Sequence, residues 1–417
     1  NKMNEYDVIV IGGGPAGLAA AIKAYDEGAK KVVIVERDEK LGGILNQCIH
    51  NGFGLARFKE SLTGPEYADR FIGELETRDI EVMTLTTVLS LAKDKTVTAI
   101  NEKNGVFTIK GKSVILAMGC RERSRGALNI PGSRPAGIFS AGAAQKFVNI
   151  KGFLPGKNVV ILGSGDIGLI MARRMTLEGA NVKAVFEIMP YSSGLKRNIV
   201  QCLDDFGIPL YLGHTITKIE GRERVTGVVV SAVDENRKPV AGTEMHFDCD
   251  TVLFSVGLIP ENELSNEAGV ELSPRTKGAV VDQSRETSVE GIFACGNVLQ
   301  VHDLVDFVSE EAEIAGKSAA FYALNGKKEK EIVLTAAGNF VSYVLPQKIN
   351  LKDDEDVSLY FRVNATIQNP KINLRCGDKT IASFKKAVVV PGEMQRVKLS
   401  ADKFGEISET ITVEIER

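Results

Sequence analysis

Cys48 and His50 are the residues whose types and spacing most directly suggest redox chemistry. They lie two residues apart in the stretch GGILNQCIHNGF (42–53), just after a glycine doublet. A thiol can form a sulfenate or a mixed disulfide, and an imidazole can shuttle a proton at neutral pH. Two plainer interpretations remain open: Cys48 as a small packing residue, and His50 as a loop histidine bonded to backbone. We treat both as candidate catalytic residues.

The segment that precedes them has the pattern of a nucleotide-binding turn. In DVIVIGGGPAGLAAAIKAYDEGAKKVVIVERD (7–38), a continuous apolar run predicts a strand buried on both faces of a parallel sheet. Glycines at GxGxxG spacing then permit a tight turn, the approach of backbone to a pyrophosphate, and close packing of a helix. Glu36 ends the next strand, where a carboxylate can accept hydrogen bonds from both ribose hydroxyls. The three glycines are Gly12, Gly14 and Gly17, and the helix is predicted to begin near Pro15.

The same unit recurs in NVVILGSGDIGLIMARRMTLEGANVKAVFE (158–187). Gly163, Gly165 and Gly168 repeat the spacing, and Glu187 follows at the end of the next predicted strand. An acid at this place favours the free ribose hydroxyls of NAD and repels a 2′-phosphate, so NADH is predicted in preference to NADPH. Two dinucleotide sites in one chain indicate one tightly held flavin, FAD, and one exchanging nicotinamide, NAD(H).

Composition limits the classes of partner and site. A formal net charge of −3 over 417 residues gives no reason to expect nucleic acid as a partner. The six cysteines are far apart, with no CxxC motif and no Cys/His cluster at metal-ligand spacing, so no metal site is predicted. Spaced cysteines, no recognisable signal peptide and no apolar window approaching about 18 residues predict a cytoplasmic protein without a membrane span.

Three further motifs make the chain resemble the two-dinucleotide-domain flavoproteins, the family that includes the pyridine nucleotide–disulfide oxidoreductases. They are KSVILAMG (112–119), DTVLFSVGLIPEN (250–262) and EGIFACGNV (290–298). The resemblance implies an α/β fold with two Rossmann-like domains. The implied FAD-binding domain is discontinuous, residues 1–122 and 288–328, and the NAD-binding domain, residues 123–287, is inserted in it.

The resemblance also implies which residues contact the cofactors. Asn297 stands where the family usually has an aspartate that holds the flavin's ribityl chain; asparagine can still hydrogen-bond a hydroxyl but carries no charge. A helix that begins near Val308 would approach the flavin pyrimidine ring, and His50 would lie near flavin N5. The implied FAD contacts are Gly12, Gly14, Pro15, Ala16, Gly17, Glu36, Arg37, Gly43, Val88, Ala117, Gly119, Gly296, Asn297 and Val308. The implied NAD contacts are Gly163, Gly165, Asp166, Ile167, Gly168, Glu187 and Gly257.

Disulfide reduction by this family needs a pair of sulfurs beside the flavin, and the sequence lacks both of the family's arrangements. The stretch 42–53 contains Cys48 alone. The segment LNIPGSRPAGIFSAGAAQKF (128–147) resembles the thioredoxin reductase branch, but it contains no CxxC. A direct dithiol relay is therefore not predicted.

Longer segments, such as MGCRERSRGALNIPGSRPAGIFSAGAAQ (118–145), are similar to small FAD/NAD subunits of multi-subunit dehydrogenases. These are the hydrogen cyanide synthase, opine oxidase and dye-linked proline dehydrogenase subunits, and relatives associated with a glycerol-3-phosphate dehydrogenase. The resemblance implies an oxidoreductase that exchanges hydride with NAD(H) and electrons with a partner flavoprotein subunit or with some small acceptor. Two alternatives are a self-contained NADH oxidase or peroxidase that uses Cys48, and a nucleotide-binding structural or regulatory subunit.

The composition changes after the charged run KKEKE (327–331), which we interpret as a solvated linker. Residues 333–417 consist of short β-branched segments broken by turn residues, which predict about seven strands in a small all-β, sandwich-like domain. This C-terminal β domain has no histidine and one cysteine. Docking onto a partner subunit or homo-oligomerisation is its predicted role.

Overall fold

The computed structural model describes residues 4–417 and divides the chain into two compact units. The first unit contains the chain up to Cys120 together with Pro260–Arg417, and the second contains Arg121–Ile259. Residues 260–287, which the sequence analysis assigns to the NAD domain, cluster with the first unit. Their apolar side chains pack in the same core as Leu91 and Val97; they include Val270, Ala279 and Val281.

The first unit begins with a mostly parallel sheet. Its elements are β1 (Asn4–Ile11), α1 (Pro15–Asp26), β2 (Val32–Val35), β3 (Asn51–Phe53), β4 (Leu62–Thr63), α2 (Gly64–Glu76), β5 (Glu81–Met83), β6 (Thr87–Leu91), β7 (Thr96–Asn101) and β8 (Gly105–Leu116). The strand order is β5-β2-β1-β8-β7-β6, with β1 parallel to both β2 and β8. Val8, Val10 and Ile11 of the predicted apolar run are buried at the centre of this sheet, as expected for a strand covered on both faces.

The second unit repeats the architecture with a five-stranded parallel sheet, β10-β17-β11-β12-β13, and an antiparallel sheet, β14-β15-β16. Its elements and those at its boundaries are β9 (Cys120–Glu122), β10 (Ile138–Ser140), α3 (Ala141–Asn149), β11 (Asn158–Leu162), α4 (Asp166–Leu177), β12 (Asn181–Glu187), α5 (Lys196–Cys202), β13 (Leu210–Leu212), β14 (His214–Gly221), β15 (Val225–Ala232), β16 (Met245–Asp248), β17 (Thr251–Phe254) and β18 (Leu258–Pro260).

The chain then returns to the first unit through α6 (Glu263–Glu267), β19 (Ile292–Ala294) and α7 (Val305–Asn325). Strand β19 adds to the sheet beside β8. Helix α7 packs against α1 so closely that a Cβ on Gly316 would lie 2.3 Å from the backbone oxygen of Ala20. The helix predicted to begin near Val308 begins at Val305, almost one turn earlier, without a side-chain cap to mark its start.

The C-terminal β domain is all-β, as predicted, but it has ten strands where about seven were expected. They are β20 (Ile332–Ala337), β21 (Val341–Leu345), β22 (Lys348–Asn350), β23 (Val357–Val363), β24 (Ile367–Gln368), β25 (Lys371–Cys376), β26 (Lys379–Lys385), β27 (Val388–Val389), β28 (Gln395–Leu399) and β29 (Ile411–Glu416). The sheets β22-β20-β29-β25-β26 and β21-β23-β28 enclose one apolar core that includes Leu359, Phe361 and Leu374. Strand β24, which the pattern missed, has only two residues and is too short to show alternation.

The charged run before this domain is not simply solvated. Lys330 Nζ lies 2.8 Å from Asp282 Oδ2 and also binds Glu286, and Lys328 Nζ lies 3.0 Å from Asp353 Oδ1. Each lysine therefore pairs with carboxylates that lie far from it in sequence. The linker is therefore held by ion pairs to other residues of the first unit.

Candidate dinucleotide sites

The first glycine turn, residues 12–17, connects β1 to α1 and has no room for side chains at two places. Gly12 has φ +107°, and a Cβ there would lie 2.3 Å from Ala117 O. A Cβ on Gly17 would lie 1.8 Å from Gly12 O. By contrast, a Cβ on Gly14 would meet nothing closer than Gly43 Cα at 3.9 Å, an ordinary van der Waals contact. The turn thus packs tightly at Gly12 and Gly17 and has more room at Gly14, as a turn that binds a pyrophosphate requires.

Glu36 lies directly after β2 and is almost fully buried beside this turn. Its Oε2 accepts a hydrogen bond of 2.7 Å from Gly13 N, and its Oε1 accepts one of 2.7 Å from Asp38 N. Each carboxylate oxygen has a further lone pair. Glu36 is therefore fixed by backbone donors and can still accept from a ribose.

The second glycine turn, residues 163–168, is built in the same way between β11 and α4. Gly163 has φ +94°, and a Cβ there would lie 2.0 Å from Ser255 O. Glu187 Oε2 accepts from Ser164 N at 3.0 Å and from Ser164 Oγ at 2.5 Å, while Oε1 accepts from Met189 N at 2.9 Å. Glu187 thus has the same relation to its turn as Glu36 has to the first.

Ser255 is a residue of this site that the fingerprint did not reveal. It follows β17, and its hydroxyl accepts a hydrogen bond of 3.1 Å from Gly168 N. A Cβ on Gly168 would lie 2.5 Å from Ser255 Cβ. The other predicted NAD residues surround this turn: Asp166 Oδ1 accepts from Leu195 N and Asn198 Nδ2, Ile167 packs on the core, Gly165 caps α4, and Gly257 has φ +103°.

The loop 296–303 of the first unit also approaches the first glycine turn. Gly296 has φ +75°, and a Cβ there would lie 2.7 Å from Ala16 Cβ. The side chain of Asn297 accepts a hydrogen bond of 3.1 Å from His302 N, and its Nδ2 lies 3.7 Å from Cys120 Sγ. Asn297 is thus held in one orientation by the loop itself. Its contact with a ribityl hydroxyl stays a prediction.

A buried charged cluster behind this loop was not predicted from the sequence. It consists of Arg285, Gln300, His302 and Glu311, all almost completely buried. Glu311 Oε1 accepts from His302 Nε2 at 2.9 Å and Gly296 N at 3.0 Å; Oε2 accepts from Arg285 Nε and Gln300 Nε2, both at 3.2 Å. Burial alone would raise the pKa of Glu311, but His302 and Arg285 hold it down at about 2. We call these four residues the Glu311 cluster.

The start of α7 carries a second buried acid. Asp306 lies in the first turn of the helix, and within residues 4–417 its Oδ1 has no hydrogen-bond partner. Its Oδ2 lies 3.5 Å from Ala56 N. Val308, the predicted contact on this helix, is buried in the core beside Gly296.

The segment that carries Cys48 and His50 is joined to the first glycine turn. Gly42 N donates to Gly13 O at 2.8 Å, and a Cβ on Gly43 would lie 3.0 Å from Gly14 Cα. Cys48 Sγ donates to Ile44 O at 3.3 Å, and the ring of His50 lies 5.0 Å from that of Phe53. Both side chains are half-buried. Their catalytic roles stay predictions.

The remaining predicted FAD residues occupy different surroundings. Ala117 N donates to Ile11 O at 2.9 Å, which places it behind the first glycine turn, and Gly119 has φ +71°. Arg37 is exposed directly after Glu36, and Val88 is partly buried in β6. Thr86, two residues before Val88, donates its N–H to Glu36 O at 2.9 Å.

Comparison with known proteins identifies the class that this fold defines. The profile of the pyridine nucleotide-disulphide oxidoreductases matches residues 6–319, about three quarters of the chain. The chain therefore belongs to this family of FAD- and pyridine nucleotide-dependent oxidoreductases, and the predicted α/β fold with two Rossmann-like sheets is confirmed.

Two relatives show the range of the sequence similarity. An opine oxidase subunit from Agrobacterium tumefaciens (strain Ach5) is 26% identical over 76% of this chain and 65% of its own length. An alkyl hydroperoxide reductase subunit from Staphylococcus aureus (strain NCTC 8325 / PS 47) is 28% identical over 70% of this chain and 54% of its own length. The chain thus spans less than two thirds of the length of each of these relatives.

Two solved structures share the fold. Thioredoxin reductase from T. acidophilum has a TM-score of 0.63 at 26% identity, covering 77% of this chain and 100% of that one. L-proline dehydrogenase from P. horikoshii has a TM-score of 0.52 at 20% identity, over 76% of this chain and 55% of that one.

Membrane-spanning helices and metal-binding clusters are both missing from the described part of the chain. No helix between residues 4 and 417 is long and apolar enough to cross a membrane. Within the same residues, no group of three or more His, Cys, Asp or Glu side chains is placed to hold a metal ion.

Proposed function

We propose that the chain transfers hydride between NADH and FAD, and that the electrons pass to a partner flavoprotein subunit or to some small acceptor without a redox dithiol. The observation that carries this proposal is the pair of equivalent sites. In each, a glycine turn without room for side chains lies beside a buried glutamate that accepts from the backbone of the turn. Bound FAD would supply the two-electron centre, which the side chains themselves lack.

The residues of the chain act by binding and orientation. Glu36 and the first glycine turn would hold the FAD ribose and pyrophosphate, with the backbone least crowded at Gly14. Asn297, fixed by His302 N, would present its amide to the ribityl chain. Glu187 and the second glycine turn would hold NADH. This arrangement supports redox catalysis over a purely structural role, because each glycine turn is paired with its own buried glutamate.

The cysteines support a mechanism without a dithiol. Burial raises the pKa of the Cys202 thiol to about 11 and that of Cys249 to about 12, and it also raises the pKa of Cys295. A thiol with a raised pKa contains little of the reactive thiolate at neutral pH. Cys48 adjoins the first glycine turn, where its Sγ lies 3.3 Å from Ile44 O. The raised pKa values of the three buried thiols therefore support a flavin-only electron store.

The proposal of a partner subunit relies on proteins with similar sequences. The similar opine oxidase chain is by its name one subunit of an oxidase, and this similarity supports a subunit role here. A second flavoprotein subunit would then oxidise an organic substrate and exchange electrons with this chain. No disulfide joins any of the six cysteines, all of which lie in the described part of the chain, and this supports a reducing, cytoplasmic setting.

Glu187→Arg is expected to shift the preference for the nucleotide. The change removes the acceptor of the ribose hydroxyls and adds a charge that attracts a 2′-phosphate. The ratio of kcat/KM for NADH to that for NADPH should fall roughly tenfold or more, since about 1.4 kcal/mol of differential binding is one factor of ten. Steady-state reduction of ferricyanide with each nucleotide measures the ratio.

Glu235→Arg is the matched control, because Glu235 lies exposed in a turn of the second unit and the change in charge is the same. It should leave the ratio unchanged. Glu187→Gln, which keeps the size of the side chain, should weaken NADH with a smaller gain for NADPH. An unaltered ratio in both Glu187 variants would remove Glu187 from the nucleotide site.

A further inference from the structure

The C-terminal β domain contacts the loop 296–303 of the same unit through a dense set of polar bonds. Arg362, in β23, donates from Nη2 to Asp303 Oδ1 at 2.6 Å and to Val301 O at 3.1 Å. Asp303 Oδ2 accepts from Met394 N at 2.6 Å. The buried ring of Tyr360 meets the ring of His302 edge-on, with centroids 5.8 Å apart. Three consecutive loop residues are therefore held by this domain.

The ion pair between Arg362 and Asp303 is mostly buried, which strengthens it. The side chains of Arg362 and Asp303 are only 22% and 18% exposed, so the ion pair is largely shielded from water. Charge-assisted bonds of this length are about twice as strong as neutral ones. Burial lowers the pKa of Arg362, but the neighbouring Asp303 and Tyr343 together more than offset this and the pKa is raised. Removal of one partner leaves a partly buried charge without its counter-charge, which is costly.

The restrained loop also orients Asn297, the residue predicted to contact the ribityl chain of FAD. His302, between the two residues that Arg362 binds, donates its N–H to Asn297 Oδ1 and its Nε2 lies 2.9 Å from Glu311. Asn297 is thus oriented by His302. Glu311 binds the side chain of His302, and the C-terminal β domain binds its two neighbours, Val301 and Asp303. The loop leads directly into α7 at Val305.

We propose that Arg362 is a positioning residue for the FAD site. Through Val301 and Asp303 it fixes the loop that orients Asn297, so that FAD affinity depends on the C-terminal β domain. This inference rests on the proposed function only in giving Asn297 its role at the flavin. It assigns the domain a task inside the chain, in addition to the predicted docking.

The test compares FAD dissociation from full-length variants, followed by the fluorescence of the released flavin. Arg362→Ala is expected to raise the Kd for FAD at least tenfold. Arg362→Lys, which keeps the charge but lacks the planar fork, should raise it less. Arg375→Ala is the control, because Arg375 lies in the same domain but bonds Glu414 and Asp378 O instead. Its Kd should stay within twofold of the wild-type value.

A double-mutant cycle separates positioning from folding. Asp303→Asn changes the loop side of the pair, and its effect on Kd should not add to that of Arg362→Ala. The thermal unfolding of each FAD-free variant shows whether the fold is intact; should Arg362→Ala not fold, Asp303→Asn carries the test. A folded variant with wild-type FAD affinity would overturn the inference. Failure of NADH to reduce the flavin would contradict the proposed function and leave this inference standing.

Discussion

Gly17→Ala is expected to yield a chain that no longer retains FAD. The added Cβ would lie 1.8 Å from the backbone oxygen of Gly12, and a backbone atom cannot give way as the end of a flexible side chain can. Overpacking of this kind typically costs about 1–3 kcal/mol, and a loss of about 3 kcal/mol in binding corresponds to roughly a hundredfold in affinity. The ratio of flavin absorbance to protein after purification measures the loss.

The control for this change is Gly73→Ala in α2, where nothing described lies within 4 Å of the added Cβ. Alanine stabilises a helix interior by about 0.5–1 kcal/mol relative to glycine, so this variant should retain FAD and unfold at an equal or higher temperature. Gly168→Ala should give the complementary result, with FAD retained and NADH binding lost, because its Cβ would meet Ser255 in the second unit. Stoichiometric FAD in Gly17→Ala would contradict the assignment of the first glycine turn.

Glu311→Gln is expected to be the most destabilising single change outside the glycine turns. The amide keeps the shape of the side chain but leaves the buried Arg285 without a counter-charge. Breaking a buried ion pair from one side costs about 3–5 kcal/mol. Urea unfolding of the FAD-free chain, followed by circular dichroism, should show the loss of stability.

Glu313→Gln provides the matched control two positions along the same helix. Glu313 binds Arg57 at 2.5 Å, but both side chains are about a quarter to a third exposed, so this pair contributes about 0–1 kcal/mol. A Glu311→Gln variant as stable as Glu313→Gln would show that the Glu311 cluster does not stabilise the fold.

The same cluster predicts a difference in acid stability. The pKa of Glu311 falls from an ordinary value of 4.5 to about 2 on folding. A lowered pKa stabilises the folded state above the unfolded-state value, and this contribution is lost as the pH falls from about 4.5 to about 2. The stability difference between wild type and Glu311→Gln should therefore shrink across this range. A difference that stays constant down to pH 2 would contradict the assigned ionisation.

Features with local causes could be predicted from the sequence. The glycine turns follow from steric needs that act within a few residues of each other, and Glu36 and Glu187 follow because each strand end lies beside its turn. For this reason the sequence could predict the FAD and NAD fingerprints, the α/β fold and the all-β character of residues 333–417. Ser255 was harder to predict from the sequence, because it lies 87 residues from Gly168, which it contacts.

Features that depend on long-range contacts could not be predicted. Glu311 stands in an alanine-rich helix and gives no sign that it is buried against Arg285, which lies 26 residues earlier. The pair of Arg362 and Asp303 spans 59 residues. The start of α7 was missed because Leu304, its N-cap, makes no side-chain bond that a sequence pattern could reveal.

The central claim is an NADH–FAD module that stores electrons on flavin alone, and an anaerobic titration of the FAD-loaded chain with NADH tests it most directly. The visible flavin band should bleach completely at about one equivalent, because a flavin accepts two electrons and the proposed mechanism uses no redox dithiol. A flavin that stays oxidised in excess NADH would contradict the hydride transfer. Complete reduction only at about two equivalents would reveal a second two-electron centre and contradict the mechanism without a dithiol.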